Sequence, residues 1–110
     1  MNIRETGLLG EWRAARYLKR RGYQILEKRY RAGHNEIDLI CRDGNDTVFV
    51  EVKARPRGRL GEGAHAVNGK KRERMKSAAS HYLRFHPCAC VRFDVIEISA
   101  AGLRHMKNAF

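Results

Sequence analysis

Apolar residues at helical spacing predict a helix near the start of the chain. Leu8, Ala15 and Leu18 fall on one side of a helix at about 100° per residue. Thr6 can cap such a helix, and a glycine that follows two arginines can end it. We therefore expect the first helix to cover residues 7–21.

This helix is expected to turn one carboxylate inward. Glu11 falls between the apolar positions of the helix. Trp12, on the flank of the same side, is expected to join the core rather than to stack on a nucleic-acid base. Four other side chains turn outward, namely Arg13, Arg16, Tyr17 and Arg20.

Five β-rich segments predict strands before and after a second helix. Three of them follow the first helix, and two follow the second. Their predicted bounds are residues 23–30, 36–42, 47–53, 90–98 and 103–110. The order α-β-β-β-α-β-β is typical of an α/β protein in which helices flank a mixed central β-sheet.

The strands on either side of Asp43-Gly44-Asn45-Asp46 are expected to form a hairpin with a two-residue turn. If Asp43 lies opposite Asp46, then Asp38 lies directly opposite Glu51. Strand alternation puts Val48, Val50 and Val52 on one face. The other face gathers two acids and a lysine with apolar residues, and its members are Glu36, Asp38, Ile40, Phe49, Glu51 and Lys53.

A basic segment and a basic helix follow the hairpin. Residues 54–66 hold glycines and arginines without periodicity, which predicts a mobile basic loop. Residues 68–85 show helical spacing, and cations crowd the first two turns, where the helix dipole disfavours them. An anionic partner would explain these cations. Candidate contacts to nucleic-acid phosphates are Arg55, Arg57, Arg59, Lys70, Lys71 and Arg74.

Composition narrows the class of protein. The 110 residues suit one domain, 1–110, and a net charge of +11 favours polyanionic partners, with nucleic acid ahead of anionic membrane. No segment resembles a membrane span or a signal peptide, so we expect a cytoplasmic protein with no membrane partner. The three cysteines are expected to be reduced thiols rather than a disulfide framework or a zinc site.

Asp38 followed by Glu51-Val52-Lys53 forms a D…E-x-K pattern with a chemical rationale. Opposed carboxylates repel each other unless a cation lies between them. Mg²⁺ or Mn²⁺ suits oxygen ligands, commonly one or two carboxylates with substrate phosphate oxygens. We expect Asp38 and Glu51 to hold this metal, with Glu11 completing its ligand shell or a second site. Lys53 would orient the attacking hydroxide or stabilise charge on the phosphate.

Two alternatives stay open for these residues. Asp38 and Lys53 could form an ordinary cross-strand ion pair with Glu51 facing solvent, since a single E-x-K tripeptide is common by chance. His34, in the loop before the acidic strand, could relay a proton or contact phosphate, or it could simply be exposed.

The chain also resembles the YraN-like family of bacterial proteins over almost its whole length. The resemblance rests on Gly10-Glu11 with Ala14, Ala15 and Leu18, on Glu36-Ile37-Asp38-Leu39-Ile40, on residues 49–55, on Val67, Lys71, Ala78 and Leu83, and on residues 92–96. It implies a restriction-endonuclease-like core of the PD-(D/E)xK nuclease superfamily. The acids and the lysine are also similar to those of archaeal Holliday-junction resolvases, which implies branched DNA as a substrate and a homodimer.

The chain departs from the family pattern in two places. The family has glycine directly before Glu-Ile-Asp, where this chain has Asn35, a residue that tolerates a left-handed conformation. The family's Arg-Asn before an aromatic residue is Lys28-Arg29-Tyr30 here. The acids and the lysine of the D…E-x-K pattern, and Glu11, all match.

These observations predict a Mg²⁺- or Mn²⁺-dependent endonuclease that hydrolyses phosphodiester bonds, in DNA rather than RNA. The alternative is a non-catalytic nucleic-acid-binding or adaptor module on the same fold, whose binding would be salt-sensitive and independent of metal. A basic peripheral membrane protein fits less well, because the apolar side of the second helix suits packing on a sheet.

Overall fold

Two helices and five strands make up residues 3–55 and 69–110, which this computed structural model describes; it describes side chains for residues 9–54 and 69–110. The order is α-β-β-β-α-β-β, so the predicted α/β class and element order are confirmed. The elements are α1 (Ile3–Arg20), β1 (Gln24–Ala32), β2 (Asn35–Asp43), β3 (Asp46–Arg55), α2 (Gly69–Phe85), β4 (Cys90–Ser99) and β5 (Gly102–Met106).

The five strands form one mixed sheet in the order β1-β2-β3-β4-β5. Only the β3–β4 pair is parallel among these strands. A parallel pair needs a crossover connection, and α2 lies in the connection between β3 and β4. The β2–β3 hairpin has the predicted turn, because its ladder runs from Asp43↔Asp46 to Leu39↔Val50.

The core lies on both faces of the sheet. On one face, Ala14 and Leu18 of α1 pack with Leu39, Val48 and Val50. On the other face, α2 packs against the sheet through a second cluster, which contains Ala78, Ala79, Tyr82, Ile37, Ile40 and Phe49. The predicted separation of Val48 and Val50 from Phe49 is therefore confirmed, and β3 is covered on both sides.

Several predicted boundaries are wrong. Helix α1 begins at Ile3, so Thr6 lies inside the helix; the residues before it have ordinary helix propensity and do not stop the helix. Strand β1 continues to Ala32, which shortens the predicted loop to a turn. Strand β5 ends at Met106 instead of reaching the terminus, because the chain turns at Asn108, whose φ is 52°.

The predicted basic loop overlaps the sheet. Strand β3 continues through Arg55, so the first two residues of that loop are strand residues. The rest of the loop, residues 56–66, lies outside the described residues. None of the described helices is long and apolar enough to cross a lipid bilayer.

A buried ionic network joins β4, β5 and α1 on the α1 side of the sheet. The Asp94 carboxylate, which is fully buried, accepts hydrogen bonds from Arg92 Nε at 2.9 Å and from the backbone N–H of Asn108 at 2.9 Å. It also lies 2.7 Å from Nε2 of His105, whose Nδ1 lies 3.1 Å from the Tyr17 hydroxyl. This network anchors the C-terminal residues to the sheet.

Candidate active site

Strands β2 and β3 stop pairing next to the predicted acidic site. Their ladder ends at Leu39↔Val50, so the expected backbone pairing of Asp38 with Glu51 is absent from it. The Asp38 carboxylate instead accepts a hydrogen bond of 2.8 Å from the backbone N–H of Val52. Asp38 therefore lies in the fork where β2 leaves β3.

The alternation of β2 also breaks at Asp38. Ile37 and Leu39 are two residues apart, yet Ile37 packs in the cluster under α2 and Leu39 in the cluster under α1. In a regular strand these two side chains would point to the same face. Because β2 changes face at Asp38, this residue lies between the cluster under α1 and the cluster under α2.

Strand β1, which pairs with β2, is also irregular next to Asp38. Arg29 lies between the pairs Lys28↔Leu39 and Tyr30↔Ile37 and has a φ of 52°, a left-handed conformation that is uncommon for arginine. Its Nε donates a 2.7 Å hydrogen bond to the Glu11 carboxylate on α1. This contact raises the pKa of the Arg29 guanidinium. Glu11 thus faces the site region but holds Arg29.

Glu51 is the most enclosed acid of the site, with a side chain only 5% exposed. Lys53 Nζ lies 3.5 Å from its Oε1, and Lys71 Nζ of α2 contacts the same oxygen. Burial, and the proximity of Lys71, lower the pKa of Lys53. Burial is the largest influence on Lys71 and opposes its charge, but the hydrogen bond to Glu51, the contact with Lys53 and the negative charges of Glu51 and Asp38 together outweigh burial and raise the Lys71 pKa.

Asp38 and Glu51 are close enough to share a proton. Burial, followed by the negative charge of Glu51, raises the pKa of Asp38 to about 8, although the Val52 N–H favours its charged form. Two carboxylates in one partly desolvated place cannot both ionise easily. With a pKa of about 8, Asp38 therefore keeps its proton at neutral pH when no metal ion is bound, although Lys53 and Lys71 contact Glu51.

The predicted metal pair fits a divalent cation in its donor chemistry. Asp38 and Glu51 offer hard carboxylate oxygens, and the proton they share marks a place where positive charge is favoured. Among the described side chains of residues 9–54 and 69–110, no group of three or more His, Cys, Asp or Glu residues, with or without Glu11, could hold a metal ion. The fit rests on the Asp38–Glu51 pair alone.

An open cleft of about 250 Å³ lies over this pair. His34 at its rim is exposed, and the turn beside it has its left-handed residue at Gly33, with a φ of 65°, rather than at Asn35. The cleft is lined by His34, Asn35, Glu36, Asp38, Glu51, Lys71, Arg74 and Met75.

The predicted phosphate contacts divide into three groups. Lys71 and Arg74 line the cleft, while Lys70 is exposed beside it on the first turn of α2. The side chain of Arg55 and all of Arg57 and Arg59 lie outside the described residues. The sequence predicts only a phosphate contact for Lys71 and does not predict its bond to Glu51. Its place in the family pattern is the one sequence signal that sets it apart from its neighbours.

The fold and the site define the class of this protein as a mixed α/β domain with a paired-carboxylate and lysine site in a fork of its sheet. A family model described as "Uncharacterised protein family UPF0102" matches residues 10–98. The chain is 46% identical over 118 residues to a UPF0102 protein of Chlorobium chlorochromatii, with 96% of this chain and 91% of that protein covered. It is 43% identical over 104 residues to a UPF0102 protein of Dechloromonas aromatica, with coverage of 94% and 87%.

The chain therefore belongs to the UPF0102 family, and the resemblance to the YraN-like family is confirmed. A UPF0102 protein of Geobacter metallireducens is 41% identical over 116 residues, with 100% of this chain and 95% of that protein covered. The matched range, residues 10–98, spans the predicted catalytic set of three acids and one lysine, namely Glu11, Asp38, Glu51 and Lys53.

Proposed function

We propose that this protein is a metal-dependent nuclease that hydrolyses phosphodiester bonds in DNA. The observation that carries the proposal is the pair of partly desolvated carboxylates, Asp38 and Glu51, in the fork of the sheet, with Lys53 and Lys71 on the same glutamate oxygen. A merely structural ion pair needs one acid and one base. Here the negative charge of Glu51 raises the pKa of Asp38, and two such carboxylates side by side are destabilising unless positive charge balances them, as a bound metal ion would.

Each residue has a defined part in this reaction. Asp38, fixed by the Val52 N–H, and Glu51 would hold a Mg²⁺ or Mn²⁺ ion. When bound, such an ion supplies Lewis-acid stabilisation of phosphate charge and makes water a better nucleophile. Lys53 and Lys71 hold the Glu51 carboxylate in one orientation, and their ammonium groups border the place where charge develops on the scissile phosphate.

The surroundings of the pair suit a polyanionic substrate. The cleft is open, so a chain can enter and leave it, and Arg74 on its wall can contact a phosphate. The net charge of +11 attracts nucleic acid at long range. The choice of DNA, and of branched DNA as the first substrate to test, follows from the similarity of the acid and lysine pattern to Holliday-junction resolvases.

The experiment is cleavage of a labelled panel: duplex DNA, single-stranded DNA, a flap, a four-way junction and RNA. Each substrate is incubated with the full chain in Mg²⁺, Mn²⁺ or EDTA at low salt. We expect cleavage of at least one DNA substrate that EDTA abolishes. Tight, salt-sensitive binding of the whole panel with no cleavage in either metal would overturn the proposal in favour of a non-catalytic nucleic-acid-binding module.

A further inference from the structure

The outer face of α1 carries an unusual arrangement of aromatic and arginine side chains. They form two rows at a spacing of four residues, which places each row along one side of the helix. Leu103 of β5 borders the rows, and the cleft between them has a volume of about 580 Å³. We call this surface the α1 patch, defined by Trp12, Arg13, Arg16, Tyr17, Arg20 and Arg21.

Trp12 is not part of the core, contrary to the sequence prediction. It is 56% exposed, an uncommon place for so large an aromatic side chain. The guanidinium of Arg16 lies 5.5 Å from the centre of its ring, and that of Arg21 lies 5.3 Å from the ring of Tyr17. These contacts hold flat cationic groups against two rings, the exposed ring of Trp12 and the half-buried ring of Tyr17, which packs against the core.

Within residues 9–54 and 69–110, no acidic side chain neutralises the positive charge of the patch. In the part of the chain that the structure describes, no carboxylate lies in ion-pair range of Arg13, Arg16, Arg20 or Arg21. Like charges one turn apart on a helix repel each other. An external anion would remove this repulsion.

The patch begins beside the candidate active site. Trp12 follows Glu11, which holds Arg29, and this end of α1 lies close to β3, because a Cβ on Gly10 would lie 3.1 Å from that of Ala54. From Trp12 to Arg21 the helix rises by about 13 Å. The patch therefore leads away from the site along α1, on the side of the sheet opposite α2.

We infer that the α1 patch binds a single-stranded polynucleotide, with one base stacked on Trp12 and the backbone phosphates on the arginines. The inference rests on the proposed function for the identity of the polyanion. Aromatic rings between cationic side chains are the combination that binds unpaired strands, because every base has a flat face and every nucleotide a phosphate.

An unpaired strand suits this surface better than a duplex or a second copy of the chain. The bases of a duplex are stacked on one another, so the ring of Trp12 would meet only the backbone. A second copy of the same patch would bring its arginines against these arginines.

Trp12 provides the test, because it is the only tryptophan among the 110 residues. Its fluorescence is followed in EDTA, so that no cleavage occurs, during titration with oligo-dT, oligo-U and a duplex of equal length. We expect a saturable change with the single strands, at an affinity about 10-fold or more above that for the duplex. Comparison of oligo-dT with oligo-U shows whether the patch prefers a DNA strand or an RNA strand.

Variants locate the binding surface. The double variant Arg16→Ala/Arg20→Ala should weaken single-strand binding by about 10-fold or more at low salt. The matched control Lys76→Ala/Arg84→Ala removes two exposed charges from α2 and should weaken it by less than about 3-fold. Trp12→Ala, measured with a labelled oligonucleotide, should lose about 10-fold, and Trp12→Phe should retain part of the affinity.

An unchanged Trp12 signal at saturation, or equal affinity for duplex and single strand, would overturn the inference. Equal losses of binding in the two double variants would also overturn it. So would a Trp12 signal that changes with protein concentration alone, because that would indicate self-association. A Trp12 response without metal-dependent cleavage of any substrate would keep the α1 patch and remove the nuclease. Cleavage without a Trp12 response would do the reverse.

Discussion

The carboxylate of Asp38 accepts a hydrogen bond from the backbone N–H of Val52, 2.8 Å away, at the point where β2 and β3 cease to pair. The Asp38 side chain thus satisfies the N–H of Val52, which lies beyond the last pair of the β2–β3 ladder. In doing so it is held near Glu51 in a place where burial disfavours its charge. This hydrogen bond satisfies one backbone donor, but the burial of Asp38 beside Glu51 works against stability, which is typical of a site kept for function.

Replacing Asp38 with asparagine should stabilise the protein in EDTA, and more so at high pH. The folded protein raises the pKa of Asp38 to about 8, from about 3.9 in an unfolded chain. Between these values the folded state binds more protons, so this group makes stability fall as pH rises. The melting temperature of Asp38→Asn relative to wild type should increase from pH 5 to pH 8 and then level off.

The exposed acid Glu73 provides the control for this series, because Glu73→Gln should show no such trend. Each kcal/mol gained corresponds to roughly 4–8 °C in a domain of this size. A variant that is less stable than wild type at pH 8 would show that Asp38 contributes to stability, and the functional account of the fork would lose its basis.

A divalent cation should displace the proton shared by Asp38 and Glu51. Because the pKa of Asp38 is about 8, Mn²⁺ binding at pH 7 should release about one proton per ion. Above about pH 9 the release should approach zero, since the free site is then ionised. Calorimetric titration in two buffers of different ionisation enthalpy measures this number. Metal binding with no proton release at pH 7 would place the ion elsewhere.

Lys71 should matter for cleavage far more than its neighbour Lys70. Lys71 contacts the Glu51 carboxylate, whereas Lys70 is exposed on the same turn. Loss of one preorganised charged group at a reacting centre costs about 10²–10³-fold in rate. We expect a loss of that size for Lys71→Ala under single-turnover conditions, and less than about 3-fold for Lys70→Ala. Equal effects would reduce Lys71 to a general phosphate contact.

Asp94 should be a structural residue without a part in catalysis. Burial works against its charge, but hydrogen bonds from His105 and Arg92 hold its pKa below the ordinary value. Asp94→Asn removes the fully buried partner of Arg92 and should cost about 3 kcal/mol in urea unfolding. Asp46→Asn removes a more exposed partner of Arg92, 3.5 Å away, and should cost less than about 1 kcal/mol.

The free energy of unfolding at low pH should also depend on Asp94. Since the folded pKa of Asp94 is depressed, its contribution is present above about pH 4 and is lost as pH falls below that value. Wild type and Asp94→Asn should therefore converge in stability at low pH. A constant difference down to pH 2 would show that packing, rather than charge, explains the effect.

Local patterns predicted most of the fold. The Asp43–Asp46 turn fixed the hairpin register, and the spacing of apolar residues predicted α2 to within a residue of its observed bounds. These features depend on contacts between residues that are near one another in sequence or share one period.

The site was predicted in its composition but not in its geometry. Asp38 reaches the fork because β2 changes face there, and Arg29 adopts a left-handed conformation at a position where the family pattern has asparagine. The hydrophobic periodicity of the sequence predicts neither the change of face at Asp38 nor the left-handed conformation of Arg29. Lys71 meets Glu51 only through the crossover of α2, and Trp12 is exposed because the apolar stripe of α1 is narrow, with Ala14 and Leu18 filling it.

The most direct test of the account compares wild type, Glu51→Gln and Glu73→Gln on the DNA substrate that is cut best in the panel. The three proteins are prepared identically, and melting curves confirm that each is folded; Asp38→Asn replaces Glu51→Gln if the latter does not fold. We expect Glu51→Gln to lose at least about 10³-fold in Mg²⁺-dependent cleavage, since a metal site contributes several kcal/mol. Its DNA binding should stay within about 3-fold, and Glu73→Gln should cleave like wild type. Undiminished metal-dependent cleavage by folded Glu51→Gln would contradict the account.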